Sequence, residues 1–163
     1  MKTKEVMTPK VQTCMPETSL ATAAMMMWES DCGVLPVVNV SDKVVGMITD
    51  RDICMGAASK RRDPATIAVS EVISGDTYTC QADDDVRDAL MTMKEKRVRR
   101  LPVMDSEGNL RGILSMNDVV LRARENGKKL DLSYGDVIRT FQGLCAHRAP
   151  QTEQSTASAA AGA

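Results

Sequence analysis

Apolar positions along this chain alternate between two periods, and the alternation is written twice. Leu20, Ala23, Ala24, Met27 and Trp28 recur at helical spacing behind Ser19, a good N-cap. That pattern predicts an amphipathic helix with Met27 and Trp28 on its core face. Two apolar runs follow, VLPVVNV and KVVGMIT, parted by Ser41-Asp42, and together they read as a hairpin. A second helix should open near Asp50. With a short extended piece around Thr13 in front, the unit reads β-α-β-β-α. The same order returns around Thr79, with Val86, Ala89, Leu90 and Met93 as the helical stripe and Asp83, Asp84 and Asp85 at its N-terminus. RLPVMD and LRGILS then flank Glu107-Gly108-Asn109, and another helix should start near Met116.

Shifting the chain by 66 positions superposes Val6–Ile53 on Val72–Val119 without a gap. Leu35-Pro36-Val37 meets Leu101-Pro102-Val103, and Thr13-Cys14 meets Thr79-Cys80. GMITDRD, Gly46 to Asp52, meets GILSMND, Gly112 to Asp118, each with glycine first, a hydroxyl fourth and aspartate seventh. This is an internal duplication. The expected organisation is a first repeat over 1–60, a connector over 61–71 and a second repeat over 72–126. A helical extension over 127–148 and a polar, non-periodic tail over 149–163, expected to be disordered, complete it.

Composition narrows the function classes. Lys and Arg number 21 against 22 Asp and Glu, with one Trp, one Phe and two Tyr. That balance argues against a nucleic-acid surface, which needs excess cation or stacking aromatics. Five widely spaced cysteines with no signal peptide and no nearby histidine read as reduced thiols of a cytoplasmic protein, not a zinc site. Cys14 and Cys80 stand at matching strand positions and are expected to be small buried hydrophobes. His147 is the single histidine, which argues against a His-based catalytic dyad. No P-loop or metal cluster is present in the sequence, and the chain is not read as an enzyme. No run approaches the ~20 apolar residues of a membrane span.

The repeated corner admits two chemistries. Gly46 and Gly112 allow close approach of a ligand or a neighbouring backbone. Thr49 and Ser115 bring a hydroxyl to a helix mouth that favours anions, and Asp52 and Asp118 could accept bonds from two ribose hydroxyls. Ser or Thr followed by Asp is equally an ordinary N-cap with first-turn acid.

The doubled unit, with its LPV strands and GhhTxxD corners (h, apolar), resembles a tandem pair of cystathionine β-synthase (CBS) domains, a Bateman module of the stand-alone type. The resemblance spans roughly Val6 to Ala123. It implies an α/β (α+β) fold of two β-α-β-β-α repeats packed as a pseudo-twofold pair, here with a C-terminal helix added. It also implies a ligand-sensing regulatory module that takes AMP, ADP, ATP or S-adenosylmethionine between its repeats, with no cofactor required. Carried over by position, one cleft comprises Thr8, Gln12, Cys32, Val34, Ile113, Ser115, Asn117 and Asp118, with Arg99 and Arg100 toward phosphates. The other comprises Ser74, Tyr78, Val98, Arg100, Met47, Thr49, Arg51 and Asp52. Relatives commonly carry a second hydroxyl where Arg51 and Asn117 stand. The resemblance further implies a homodimer through the repeat helices, with Met25 and Met26 at the contact, and an unidentified protein target. The alternative is a ligand-free interaction scaffold with degenerate clefts.

Overall fold

The computed structural model describes residues 1–73, 77–125 and 131–146. Strand β1 (Thr8–Pro9) leads into α1 (Leu20–Glu29), the hairpin β2 (Val34–Val38) and β3 (Val44–Thr49), and α2 (Asp50–Lys60). The second repeat runs β4 (Cys80–Gln81), α3 (Val86–Lys96), β5 (Arg100–Met104), β6 (Leu110–Ser115) and α4 (Met116–Arg122). Helix α5 (Tyr134–Cys145) follows within the expected C-terminal extension. The proposed tail and His147 lie outside the described residues.

Both hairpins are antiparallel, and their registers differ by the repeat offset: Val37 faces Gly46 as Val103 faces Gly112. A parallel bridge Cys14–Val37 in the first repeat matches Cys80–Val103 in the second. Each helix starts where the sequence supplies a cap. Ser19 accepts the Thr22 amide, and Asp85 accepts the Arg87 amide. The hairpin turns demand a left-handed residue at one position, which is Gly108 (φ 76°) in the second repeat and Asp42 (φ 55°) in the first. The Lys43 ammonium then spans the two turns, donating to the carbonyls of Glu107 and Gly108 and to Asn109 Oδ1 at 3.0, 3.2 and 3.0 Å.

Two cores result, and the chain crosses between them. Val6 is buried among Val86, Leu90 and Leu101 of the second repeat, although it precedes the first. Its counterpart Val72, with Ile73, packs against the first core around Leu20, Leu35 and Ile48. Strand β1 pairs with β6 in the same sense, Thr8 opposite Ile113 and Pro9 opposite Gly112. Each fully buried Leu or Ile contributes on the order of 1.5–3 kcal/mol. Thus each leading segment anchors itself in the neighbouring repeat.

One expectation is corrected. Met27 is buried as the stripe requires, but Trp28 is 84% exposed. Its counterpart Lys94 is also exposed, though its stem packs against Gly143 of α5, whereas no matching helix covers the first repeat among the described residues. Cys14 and Cys80 are buried, and burial pushes their thiols up to about 11 and about 12, with the Asp84 charge adding to the effect at Cys80.

Candidate functional site between the repeats

At the end of β6, Ser115 becomes the N-cap of α4. Its hydroxyl accepts the Asp118 amide at 3.3 Å, and Asp118 Oδ2 accepts the Ser115 amide at 2.8 Å and the Ser115 hydroxyl. Thr49 and Asp52 form the same reciprocal box, with 3.2 and 2.9 Å between the corresponding atoms. A third box joins Ser133 and Asp136 at the start of α5. Thus the hydroxyl-x-x-Asp string is first of all a device for starting a helix. What distinguishes Asp118 is its other oxygen, which accepts the Thr8 hydroxyl of the opposite repeat at 3.0 Å.

That contact sits on the wall of a cavity of about 460 Å³. Thr8, Gln12, Cys32 and Val34 enter from the first repeat, and Arg100, Ile113, Ser115, Asn117 and Asp118 from the second. The volume suits a small organic ligand, and the mixture of apolar walls with a few convergent polar groups is typical of such sites. Val34 and Ile113 are buried, while Thr8, Gln12 and Asn117 are exposed. Lys10, Val11, Ser30, Asp31 and Gly33 complete the lining and were not anticipated. They are the residues between and beside the anticipated ones on the same two loops, so loop continuity was the available signal.

The charges in the lining balance in number, with Lys10 and Arg100 against Asp31 and Asp118. Arg100 Nη2 comes within 3.8 Å of the point where a Cβ on Gly33 would stand. Arg99 does not line this cavity. Its side chain is exposed, and its carbonyl accepts the Met116 amide.

Arg100, assigned to both sequence-derived sets, lies on this first cavity. Of the second set, Ser74 falls outside the described residues. Met47 is half-buried opposite Pro36, and Arg51 is exposed. Tyr78 and Val98 are half-buried against the second core, with the Lys96 ammonium 5.1 Å from the Tyr78 ring centroid. Among the described residues, no group of three or more His, Cys, Asp or Glu side chains could hold a metal ion, and no helix is long and apolar enough to cross a membrane.

Comparison with known proteins places this architecture. The family model of the CBS domain matches residues 4–58 and 69–125. The chain is similar to the CBS domain-containing protein YhcV of Bacillus subtilis, 34% identical over 123 residues, 76% of this chain and 86% of that protein. It is similar to Hypoxic response protein 1 of Mycobacterium tuberculosis, 36% identical over 115 residues, 70% and 80% of the two chains. It spans 59% of the length of an uncharacterised Methanopyrus kandleri protein, MK0525, to which it is 32% identical over 71% of its own length. A crystal structure of Hypoxic Response Protein I with two coordinated zinc ions superposes with TM-score 0.69 at 30% identity, covering 76% of this chain and all of that one. CBSX2 in complex with AMP superposes with TM-score 0.62 at 26% identity, over 74% and 93% of the two chains. With both repeats matched in sequence and the pair matched in structure, this chain belongs to the CBS-domain family and carries two CBS domains.

Proposed function

We propose that the cavity between the repeats binds an adenine nucleotide and that the protein is a regulatory module, not an enzyme. The observation that carries this reading is the convergence of Thr8, Gln12, Cys32 and Val34 with Ile113, Ser115, Asn117 and Asp118 around one ligand-sized space. The AMP complex of CBSX2 supports it. Val34 and Ile113 would flank the base, Asp118 would take the ribose, and Lys10 and Arg100 would meet the phosphate. Two cations set against two carboxylates suit one phosphate better than three, so AMP is expected to bind more tightly than ATP. A ligand touching both repeats would favour one inter-repeat geometry over others, and that difference is what a partner could sense.

Calorimetric titration with AMP, ADP, ATP and S-adenosylmethionine tests the reading. Asp118→Asn keeps an oxygen for the helix cap while removing the charge, and should weaken binding about tenfold or more, as expected for a lost charged hydrogen bond. Absence of binding by all four at about 1 mM would refute the reading. The self-satisfied boxes at Thr49, Ser115 and Ser133 would then favour the alternative, a scaffold without ligand.

Pairing of two copies belongs to the same proposal. Met25 and Met91 are equivalent positions, as are Met55 and Leu121, and all four are exposed, at 56, 55, 58 and 83%. An apolar set repeated by the internal symmetry suits a self-complementary dimer face. Leu121→Lys with Met55→Lys should then shift the mass measured by light scattering from dimer to monomer.

A further inference from the structure

Outside the cavity, the two repeats differ most on the outer side of their helices. In the second repeat α5 lies along the groove between α3 and α4. Val137, Phe141 and Leu144, at i, i+4 and i+7, pack into the core that holds Leu90, Met93, Met116 and Val119. Gly143 sits against the stem of Lys94. Polar contacts fix the seat: Arg87 Nε lies 3.8 Å from Asp136 Oδ2, and Arg87 also donates to the Asp131 carbonyl.

The matching groove of the first repeat is open. Ala24, Met27, Trp28, Asp31, Asp50 and Ile53, equivalent to Leu90, Met93, Lys94, Arg97, Met116 and Val119, border a space of about 430 Å³ between α1 and α2. Trp28, the chain's one tryptophan, stands over it, while Ala24 and Ile53 are half-buried. The charge has inverted as well. The second repeat carries Arg87, Lys94 and Arg97 at these positions, with Arg87 near Asp136 of α5, whereas the first carries Ala21, Trp28 and Asp31, with Asp50 in place of Met116. Among the described residues that line this groove there is no cation, and Arg100 Nη2 lies 3.8 Å from the Cβ position of Gly33 at its edge.

We propose that the α1/α2 groove docks an amphipathic helix of a partner protein, with apolar residues at the i, i+4, i+7 spacing of α5 and basic residues on its flanks. The internal precedent supplies the geometry, and the inverted charge supplies the sign. Trp28 lies one helical turn from Met25 of the symmetric apolar set, so the groove borders the face proposed for self-association. The groove adjoins the cavity between the repeats, sharing Asp31, Cys32 and Gly33 with it, but docking requires no nucleotide.

The probe is a synthetic peptide of the α5 sequence, Ser133 to Ala146, carrying Asp136→Lys, Gln142→Lys and Cys145→Ser. It contains no tryptophan, so emission from the intact protein reports Trp28 alone. Titration should give a saturable blue shift with half-saturation below about 1 mM. Ile53→Lys should abolish the shift. Asp31→Arg, which installs the residue of the second repeat at a position where that repeat also uses left-handed backbone, should weaken the peptide about fivefold. Circular dichroism confirms that each variant is folded. The proposal is overturned if no shift occurs, if the unmodified α5 peptide, whose Asp136 and Arg139 cancel, binds as well as the basic one, or if Ile53→Lys binds normally. It is also overturned if Trp28 emission shifts with protein concentration alone, which would assign the groove to a second copy.

Discussion

The two corner glycines, equivalent in sequence, should respond very differently to alanine. A Cβ on Gly112 would lie 2.3 Å from the carbonyl oxygen of Thr8 and 3.1 Å from Pro9 Cα, both backbone atoms of β1. A Cβ on Gly46 would meet only the side chain of Ile73, nearest at its Cδ1 at 2.7 Å. Isoleucine can rotate at a cost of about 0.5–1.5 kcal/mol. Strand β1 cannot yield without leaving β6, which sacrifices its ladder bonds at about 1 kcal/mol each, plus about 1–3 kcal/mol of overpacking. The expected loss is therefore about 3–4 kcal/mol for Gly112→Ala and about 1 kcal/mol for Gly46→Ala. Urea unfolding should show the difference as a fall in midpoint of about 1.5–2 M against about 0.5 M, for a slope near 2 kcal/mol/M. Moving β1 also withdraws Thr8 from Asp118, so nucleotide affinity should fall in the Gly112 variant and much less in the other. Equal midpoints, or a larger loss at Gly46, would refute the backbone argument.

Other outcomes follow from burial and charge. Alkylation of the native protein near neutral pH should label exposed Cys54 and Cys145 and spare Cys14 and Cys80, whose thiols burial raises to about 11 and about 12; mass mapping before and after denaturation checks this. Asp83 is held at about 2, below its ordinary 3.8, by hydrogen bonds from Lys4 and Lys2. A depressed carboxylate stabilises fully above its unfolded value, so its tether on the N-terminus should be lost as pH falls from about 4 to about 2. Hydrogen exchange at the Thr3 and Lys4 amides, which bond Asp84 and Ala82, should accelerate over that window, and less steeply in Asp83→Asn. Arg87→Ala should loosen α5 at a cost of about 1 kcal/mol, given its partial exposure, and speed exchange in that helix before the rest of the fold.

Much of this architecture is written locally. The helical stripes, the hairpin runs and the caps Ser19 and Asp85 involve residues within a few positions of one another, and the 66-residue repeat confirms each reading with a second copy. Trp28 misleads because its surroundings depend on α5, more than 100 residues away, which covers only the second repeat. Arg99 and Arg100 are indistinguishable in a basic run, yet β5 begins at Arg100, which lines the cavity, while Arg99 precedes the strand and is exposed. Lys10 and Asp31 line it because both take left-handed backbone in loops, at φ 52° and 47°, a conformation that residue type does not announce. The corner is a sharper case. Its spacing is fully explained by helix capping, and only the long-range Thr8–Asp118 contact separates a cleft residue from a cap.

The crossing of the leading segments bears on how such a chain could arise. Val6 completes the core of the second repeat, and Val72 with Ile73 adds to that of the first. A cut in the connector would therefore leave two fragments, each short of a piece carried by the other. An ancestor with a single unit would have found its missing piece only in a second molecule, as in an exchanged dimer. Gene duplication then replaced an encounter between molecules by a tether within one. Once that association no longer depended on concentration, the two halves were free to diverge, and the open groove beneath Trp28 shows that they did.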